Sequence, residues 1–206
     1  MAAQVGVRQR SDARDNRERI LLVARAAFAA EGLDVPIREV ARRAEVGVAT
    51  VYRHFRTKEA LLTAAFADRM ALCSAVVEKG LAAPDPWAGF CLVVEEVMAM
   101  HAVDRGFARA FTSRQTHAPD FAAERDRSLR LLLELVRRAK DAGALRQDFV
   151  VEDISLVLMA NEGIRAATPE MRVAASRRFA ALVMQAFQAN PVPAELPPAV
   201  RLPLSR

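Results

Sequence analysis

The chain is 206 residues long, 52% hydrophobic and 6% aromatic, with 30 Lys and Arg against 25 Asp and Glu and a formal net charge of +5. That composition buries a sizeable core and excludes an intrinsically disordered chain, and abundant alanine with few strong β formers favours helices. Charge is segregated: residues 1–58 hold 12 basic and 7 acidic side chains and residues 59–206 hold 18 of each, so the whole excess lies in the first quarter and points to a polyanion partner there.

In chain order, residues 1–14 read as a flexible basic arm, with Arg8, Arg10 and Arg14 placed either to touch phosphates or simply to be solvated. A first helix over Asp15–Glu31 follows from the apolar stripe Ile20, Ala24, Ala27 and Phe28 and stops at Gly32, the residue favoured just past a helix end. Pro36 opens a second helix carrying Ile37, Val40, Ala41 and Ala44. The third, Val48–Phe55, has only two turns, and Thr57 can cap a fourth that continues to about Lys79.

After a break at 81–86, Asp85 can cap a fifth helix with Pro86 in its first turn. Helices are then expected over Trp87–Val103, Asp104–Arg114, Pro119–Ala142, Val151–Ala166 and Pro169–Ala189, with Gly143 stopping the long one and Thr168-Pro169 starting the last. Beyond Asn190, five of the thirteen residues through Pro203 are proline, so 190–206 should be a disordered or extended tail.

No run of 18 apolar residues is free of charge, which argues against a membrane span. The basic start Met1–Asn16 lacks the apolar stretch of a signal peptide, so a cytoplasmic location is expected. Cys73 and Cys91 lack metal or redox spacing and read as reduced, buried thiols. His54, His101 and His117 are scattered, without an HExxH pattern or a His/Cys cluster, and the eight glycines form no phosphate-binding signature. No metal, no cofactor and no catalysis are expected.

Two short helices joined by Glu45-Val46-Gly47 have the geometry of a helix-turn-helix. At about 100° per residue, Val48, Val51, Tyr52 and Phe55 fall on one side of the third helix, and Ala49, Thr50, Arg53 and His54 on the other. The first side can seat on the two preceding helices. The second suits entry into a DNA major groove, with Arg53 in reach of a guanine edge or a phosphate. An ordinary amphipathic helix with a solvated polar face has the same periodicity, and charge segregation brings the two readings level.

The run Ile20-Leu-Leu-Val-Ala24, Phe28-Ala-Ala-Glu-Gly32, Ile37-Arg-Glu-Val-Ala-Arg-Arg-Ala44, Val48-Ala-Thr-Val-Tyr-Arg-His-Phe55 and Lys58-Glu-Ala-Leu-Leu62 resembles the DNA-binding domain of the tetracycline-repressor (TetR) family over about a quarter of the chain. Its most specific part is Thr-x-Tyr-x-His-Phe followed by Lys-Glu-x-Leu. The resemblance implies an all-α fold: an N-terminal three-helix helix-turn-helix DNA-binding domain over 15–62, with helix four continuing to about 80, and a C-terminal helical effector-binding and dimerisation domain over 84–189. It also implies that Tyr52 and His54 hold DNA phosphates and that Ala49 and Thr50 face the groove. Lys58 would bind a phosphate, helped by the positive end of helix four, and Arg38 would contact a base or the backbone. Ala49 is short for a base reader, so Arg53 and Arg38 carry more of any direct readout. The family pattern has glycine where this chain has Glu45 and a serine-like cap where it has Gly47. A glutamate in a left-handed turn position costs roughly 1 kcal/mol.

Asp85-Pro-Trp87, Asp104-Arg-Gly-Phe107 and Ala142-Gly-Ala-Leu-Arg146 look like the SbtR-like subgroup of that family. Ile154, Leu158, Phe179, Leu182, Val183, Ala186 and Phe187 are the candidate dimer interface, in a four-helix arrangement of two chains, against a reading in which they pack only within one chain. Trp87, Phe90, Val94, Met98, His101, Phe107, Phe111 and Met159 are candidates for lining an effector pocket, with plain core packing the alternative at each. Arg105 and Arg109, one turn apart, either attract an anionic group or form a solvated face with Asp104. The function the resemblance implies is a homodimeric repressor of a pseudo-palindromic operator on double-stranded DNA, released when a small molecule shifts the population toward dimers with misspaced heads. The competing reading is a helical adaptor with a non-specific nucleic-acid-binding head.

Overall fold

The computed structural model describes residues 2–112, 119–191, 195–200 and 202, and side chains from Arg14 onward within that set. These residues form nine helices: α1 Ala2–Glu31, α2 Ile37–Arg43, α3 Val48–His54, α4 Lys58–Leu81, α5 Pro86–Val103, α6 Arg105–Thr112, α7 Pro119–Asp141, α8 Val151–Glu162 and α9 Pro169–Phe187. Among the described residues there is no strand, only an isolated antiparallel bridge between Leu145 and Gln188.

Helix starts follow local chemistry. The Thr57 hydroxyl accepts from the Ala60 amide at 3.1 Å, Asp85 Oδ1 from the Trp87 amide at 3.0 Å, and Thr168 Oγ1 from the Met171 amide at 3.2 Å. Gly32 and Gly143 end α1 and α7 with φ of 96° and 70°, left-handed conformations that glycine adopts without steric cost.

Three boundaries differ from the sequence reading. α1 begins at Ala2 rather than Asp15, because extending an existing helix through good helix formers such as Ala, Gln and Arg costs little once it is nucleated. The side chains of Arg8 and Arg10 lie outside the described residues. α8 ends at Glu162 with Gly163 at its C-cap instead of continuing to Ala166. α9 ends at Phe187, where Gln188 turns extended and the Ala189 amide donates to the Ala144 carbonyl at 2.9 Å. In the tail, Arg178 donates to the Pro197 carbonyl, which returns part of the Pro-rich segment to α9.

One continuous core joins both halves of the chain. Ile20, Ala24 and Phe28 of α1 meet Val40 and Ala41 of α2, Val51 of α3 and Leu61 and Phe66 of α4, all essentially inaccessible. Phe66 then links the halves: its ring lies 6.1 Å from Phe28 on one side and 6.1 Å from Phe107 of α6 on the other. α4 and α5 are long and apolar enough to cross a membrane, but close to half of each is buried inside this core. At the far end of the body, Phe90 contacts Trp87, Phe149 and Phe187, tying α5 to α9 and to the loop before α8.

Candidate nucleic-acid interface and effector cavity

α2 and α3 meet at a turn whose hydrogen bonds are those of a Schellman motif. The Glu45 amide donates to the Arg42 carbonyl at 3.2 Å and the Val46 amide to the Ala41 carbonyl at 3.0 Å. That motif needs a left-handed residue between them, and Glu45 fills it at φ 53°. Gly47 is the N-cap of α3 and supplies no side-chain cap. Glu45→Gly should therefore raise the unfolding free energy by about 0.5–1 kcal/mol and leave DNA affinity no weaker, checked by thermal melting and by anisotropy titration. A clear drop in melting temperature would sink the idea.

Val51 and Phe55 anchor α3, with Arg17 of α1 5.3 Å above the Phe55 ring. Val48 and Tyr52, assigned by periodicity to the same apolar side, are instead 42% and 47% exposed. A two-turn helix resting on α1 and α2 buries only a narrow strip, and these two residues flank it. Ala49 and Arg53 are exposed, Thr50 and His54 half-buried, and the Arg53 guanidinium donates to Thr50 Oγ1 at 3.0 Å. Lys58 opens α4 beside the cap at Thr57.

Electrostatics divide the arginines of this region. Glu39 accepts from Arg42 and Arg43, which hold its carboxyl down at about 2, and Arg43 also reaches Glu31. Among the described residues, no carboxylate pairs with Arg38, Arg53, Arg56 or Lys58. Arg38 is exposed on the side of α2 away from the buried Ile37, Val40 and Ala41. The positive charge at Arg38, Arg53, Arg56 and Lys58 is thus uncompensated by carboxylates among the described residues.

In the body, α4, α5, α6, α7 and α8 enclose a cavity of about 410 Å3. Apolar side chains, Val77, Val93, Val94, Val97, Leu132 and Val157 among them, make most of its wall, with Cys73 buried in it and its thiol pushed up to about 12 by desolvation. Polar groups are few: Thr112, Arg125, Asp126, Ser128 and Ser155. The Ser74 hydroxyl donates to Glu124 at 2.6 Å, so the 2.9 Å contact between Ser74 and Ser128 has Ser128 as donor, which leaves the Ser128 oxygen as an acceptor in the wall.

Of the pocket candidates read from sequence, Val94, Phe111 and Met159 line this cavity and the other five do not. Trp87 and Phe90 belong to the aromatic cluster at the far end of the body, and Met98, His101 and Phe107 are sealed in the core. Burial holds the His101 imidazole uncharged, with its pKa lowered to about 4, between the rings of Phe107 and Phe111. Helical periodicity finds the buried face of a helix but not which part of it borders empty space. The α7 contribution, Arg125, Asp126, Ser128, Leu129 and Leu132, was missed because three of these five are polar or charged, although α7 buries an apolar stripe of Phe121, Leu135, Val136 and Ala139.

The dimer candidates divide similarly. Ile154 and Leu158 turn inward to the cavity, Val183 is buried, and Phe187 packs on Phe149 at 4.9 Å between centroids. Phe179 is half-buried, whereas Leu182 and Ala186 are exposed. Leu156 on the outer face of α8 is 64% exposed, and Met159, which also borders the cavity, is 61% exposed. The stripe chosen from sequence is in part the inward-facing one.

Comparison with known proteins bears on this arrangement. Residues 20–65 match the family of bacterial regulatory proteins of the tetR family, and residues 85–189 match the C-terminal domain of SbtR-like transcriptional regulators. A TetR transcription regulatory protein from Mycobacterium vanbaalenii is 32% identical, covering 87% of this chain and 99% of that one, with a TM-score of 0.48. A TetR transcriptional regulator from Streptomyces coelicolor is 28% identical, covering 84% and 98%, with a TM-score of 0.52. The regulator FadR from Bacillus subtilis, solved in complex with stearoyl-CoA, is 17% identical over 81% and 97% with a TM-score of 0.52, and shares the fold. No protein of curated function matches the sequence.

Proposed function

The chain belongs to the TetR family of DNA-binding transcription regulators, which as a rule are not enzymes, and from that premise we propose that it is a cytoplasmic, homodimeric repressor released from its operator by an apolar small molecule. The observation that carries the DNA reading is the unpaired positive face: Val51 and Phe55 lock α3 down while Arg38, Arg53 and Lys58 stay without carboxylate partners among the described residues. Two such heads on a two-fold axis read an inverted repeat with half-sites about one helical turn, or a multiple, apart.

The cavity supports the effector reading. Its aliphatic wall favours an apolar ligand oriented by one or two polar groups. The stearoyl-CoA held by the FadR relative is in keeping with a small-molecule ligand. Phe111 in the cavity wall lies 5.7 Å from Phe107, which meets Phe66 and through it Phe28 of α1. Ligand acts on the operator only if it binds the two head spacings with different affinity, and a packed line of rings from the cavity wall to α1 supports such a coupling.

The test is selection of sheared genomic DNA by the purified protein at near-physiological salt. Enrichment of a short inverted repeat supports the proposal; retention of DNA without a shared motif overturns it in favour of a non-specific head. On the selected operator, Arg53→Ala should weaken binding by about 5- to 150-fold and non-specific binding far less, as for loss of a base contact. Lys58→Ala should weaken both about equally and reduce the salt slope by roughly one. Equal losses for Arg53→Ala on operator and random DNA would remove its base-reading role.

A further inference from the structure

The buried polar side-chain atoms that lack a protein partner among the described residues are both ring nitrogens of His101, Nε of Arg105, Oδ1 of Asn161 and Oγ of Ser176. They lie on α5, α6, α8 and α9 of the body, outside the helix-turn-helix. Asn161 Nδ2 donates to the Met98 carbonyl at 2.9 Å and Arg172 Nε to the Ala102 carbonyl at 2.5 Å, so α8 and α9 both address the last turns of α5, where His101 lies. Ser176 is one turn beyond Arg172 on α9, and α6 begins with Arg105 directly after the end of α5.

The same corner holds four guanidinium groups: Arg105 and Arg109 of α6, Arg165 after α8 and Arg172 of α9. Arg109 Nη1 donates to the Ala29 carbonyl at 3.2 Å and Arg165 Nη1 to the Glu162 carbonyl at 2.9 Å, as Arg172 does to Ala102. Carbonyls satisfy these donors without cancelling their charge. The carboxylate among them is Glu162, 3.3 Å from Arg109 Nε. Asp104 is engaged by Arg69 at 3.5 Å and by the Phe107 amide at 2.9 Å. Burial first, and then the positive charges of Arg165, Arg109 and Arg172, hold the pKa of Arg105 below its usual value.

We propose that this corner binds a multiply charged oxyanion of the phosphate type through Arg105, Arg109, Arg165 and Arg172, at the place where α6 meets the last turn of α1. Four cations against one shared carboxylate leave a surplus that a single carboxylate ligand does not neutralise, and guanidinium forks match phosphate oxygens in pairs. The occupant is a free anion rather than operator DNA. Arg17 of α1 lies level with Phe55 of α3, and Ala29 stands twelve residues farther on, about 18 Å along the helix axis. The site is also separate from the apolar cavity, whose wall on α6 ends at Phe111 and Thr112.

The experiment is calorimetric titration of the full chain with inorganic pyrophosphate, with chloride as the buffer anion at matched ionic strength. Saturable binding is expected, weakened at least tenfold in Arg165→Ala and in Arg105→Gln, and unchanged in the Arg53→Ala, Lys58→Ala double variant. Arg165 is exposed and follows the end of α8, so its variant keeps the fold even where Arg105→Gln does not, which melting without ligand checks. Absence of saturable binding, equal binding by Arg165→Ala, or loss confined to the head double variant would each overturn the site.

Discussion

Gly89→Ala is expected to lower the unfolding free energy by about 3 kcal/mol, at the upper end of what one inserted methyl costs in a packed interior. For a chain of this size that is a fall in melting temperature of roughly 6–12 °C. The reason is the crossing of α4 over α5. A Cβ on Gly89 would stand 2.2 Å from the Gly80 carbonyl oxygen and 3.1 Å from its carbonyl carbon, both backbone atoms that no rotamer change can move. The helices would have to part, yet Phe66 holds α4 to α1 and α6, and Phe90 holds α5 to α9. Gly47→Ala is the control: its Cβ would meet only the Thr50 hydroxyl at 3.8 Å, an ordinary contact, so melting should barely change. If Gly89→Ala melts like the parent, α4 and α5 are not locked at this crossing, and the cavity they border is more deformable than its walls suggest.

What the sequence made legible was what local chemistry fixes. Thr57, Asp85 and Thr168 cap the helices whose starts they marked, because a cap acts within three residues. The left-handed Glu45 was legible only through the family resemblance, whose pattern has glycine at that position. Val51 and Phe55 were read correctly as the seat of α3, but Val48 and Tyr52 were not, because the width of a buried strip depends on the partner helices rather than on the period. The cavity was least legible. It is defined by where five helices fail to touch, and Ser128 and Arg125 of α7 are polar side chains that a search for apolar stripes passes over. The arginine corner was half visible, as Arg105 and Arg109 one turn apart. Arg165 and Arg172 join them only through the packing of α8 and α9 on α5 and α6.

The outer face of α8 and α9 carries the other large effect. Leu156 on α8 and Leu182 on α9 are 64% and 46% exposed, an apolar surface of the kind that soluble chains cover with a partner. Leu182→Asp combined with Leu156→Asp should give a monomer in sedimentation, because two carboxylates would be buried unpaired at a two-fold interface. Operator affinity should then fall by about 10²–10⁴-fold, the avidity lost when two heads are no longer linked, while the weaker affinity of each head for non-specific DNA stays the same. Thermal melting at high dilution should change little, since both side chains face outward in the single chain. Val183→Asp separates the interface from the core: Val183 is 9% exposed and belongs to the core, so its replacement should unfold the protein rather than dissociate it. A double variant that remains dimeric would move the interface to another exposed apolar strip, such as Leu129 and Leu133 on α7. The two heads would then be spaced by α7 rather than by α8 and α9, and the half-site separation of the selected operator would have to differ to match.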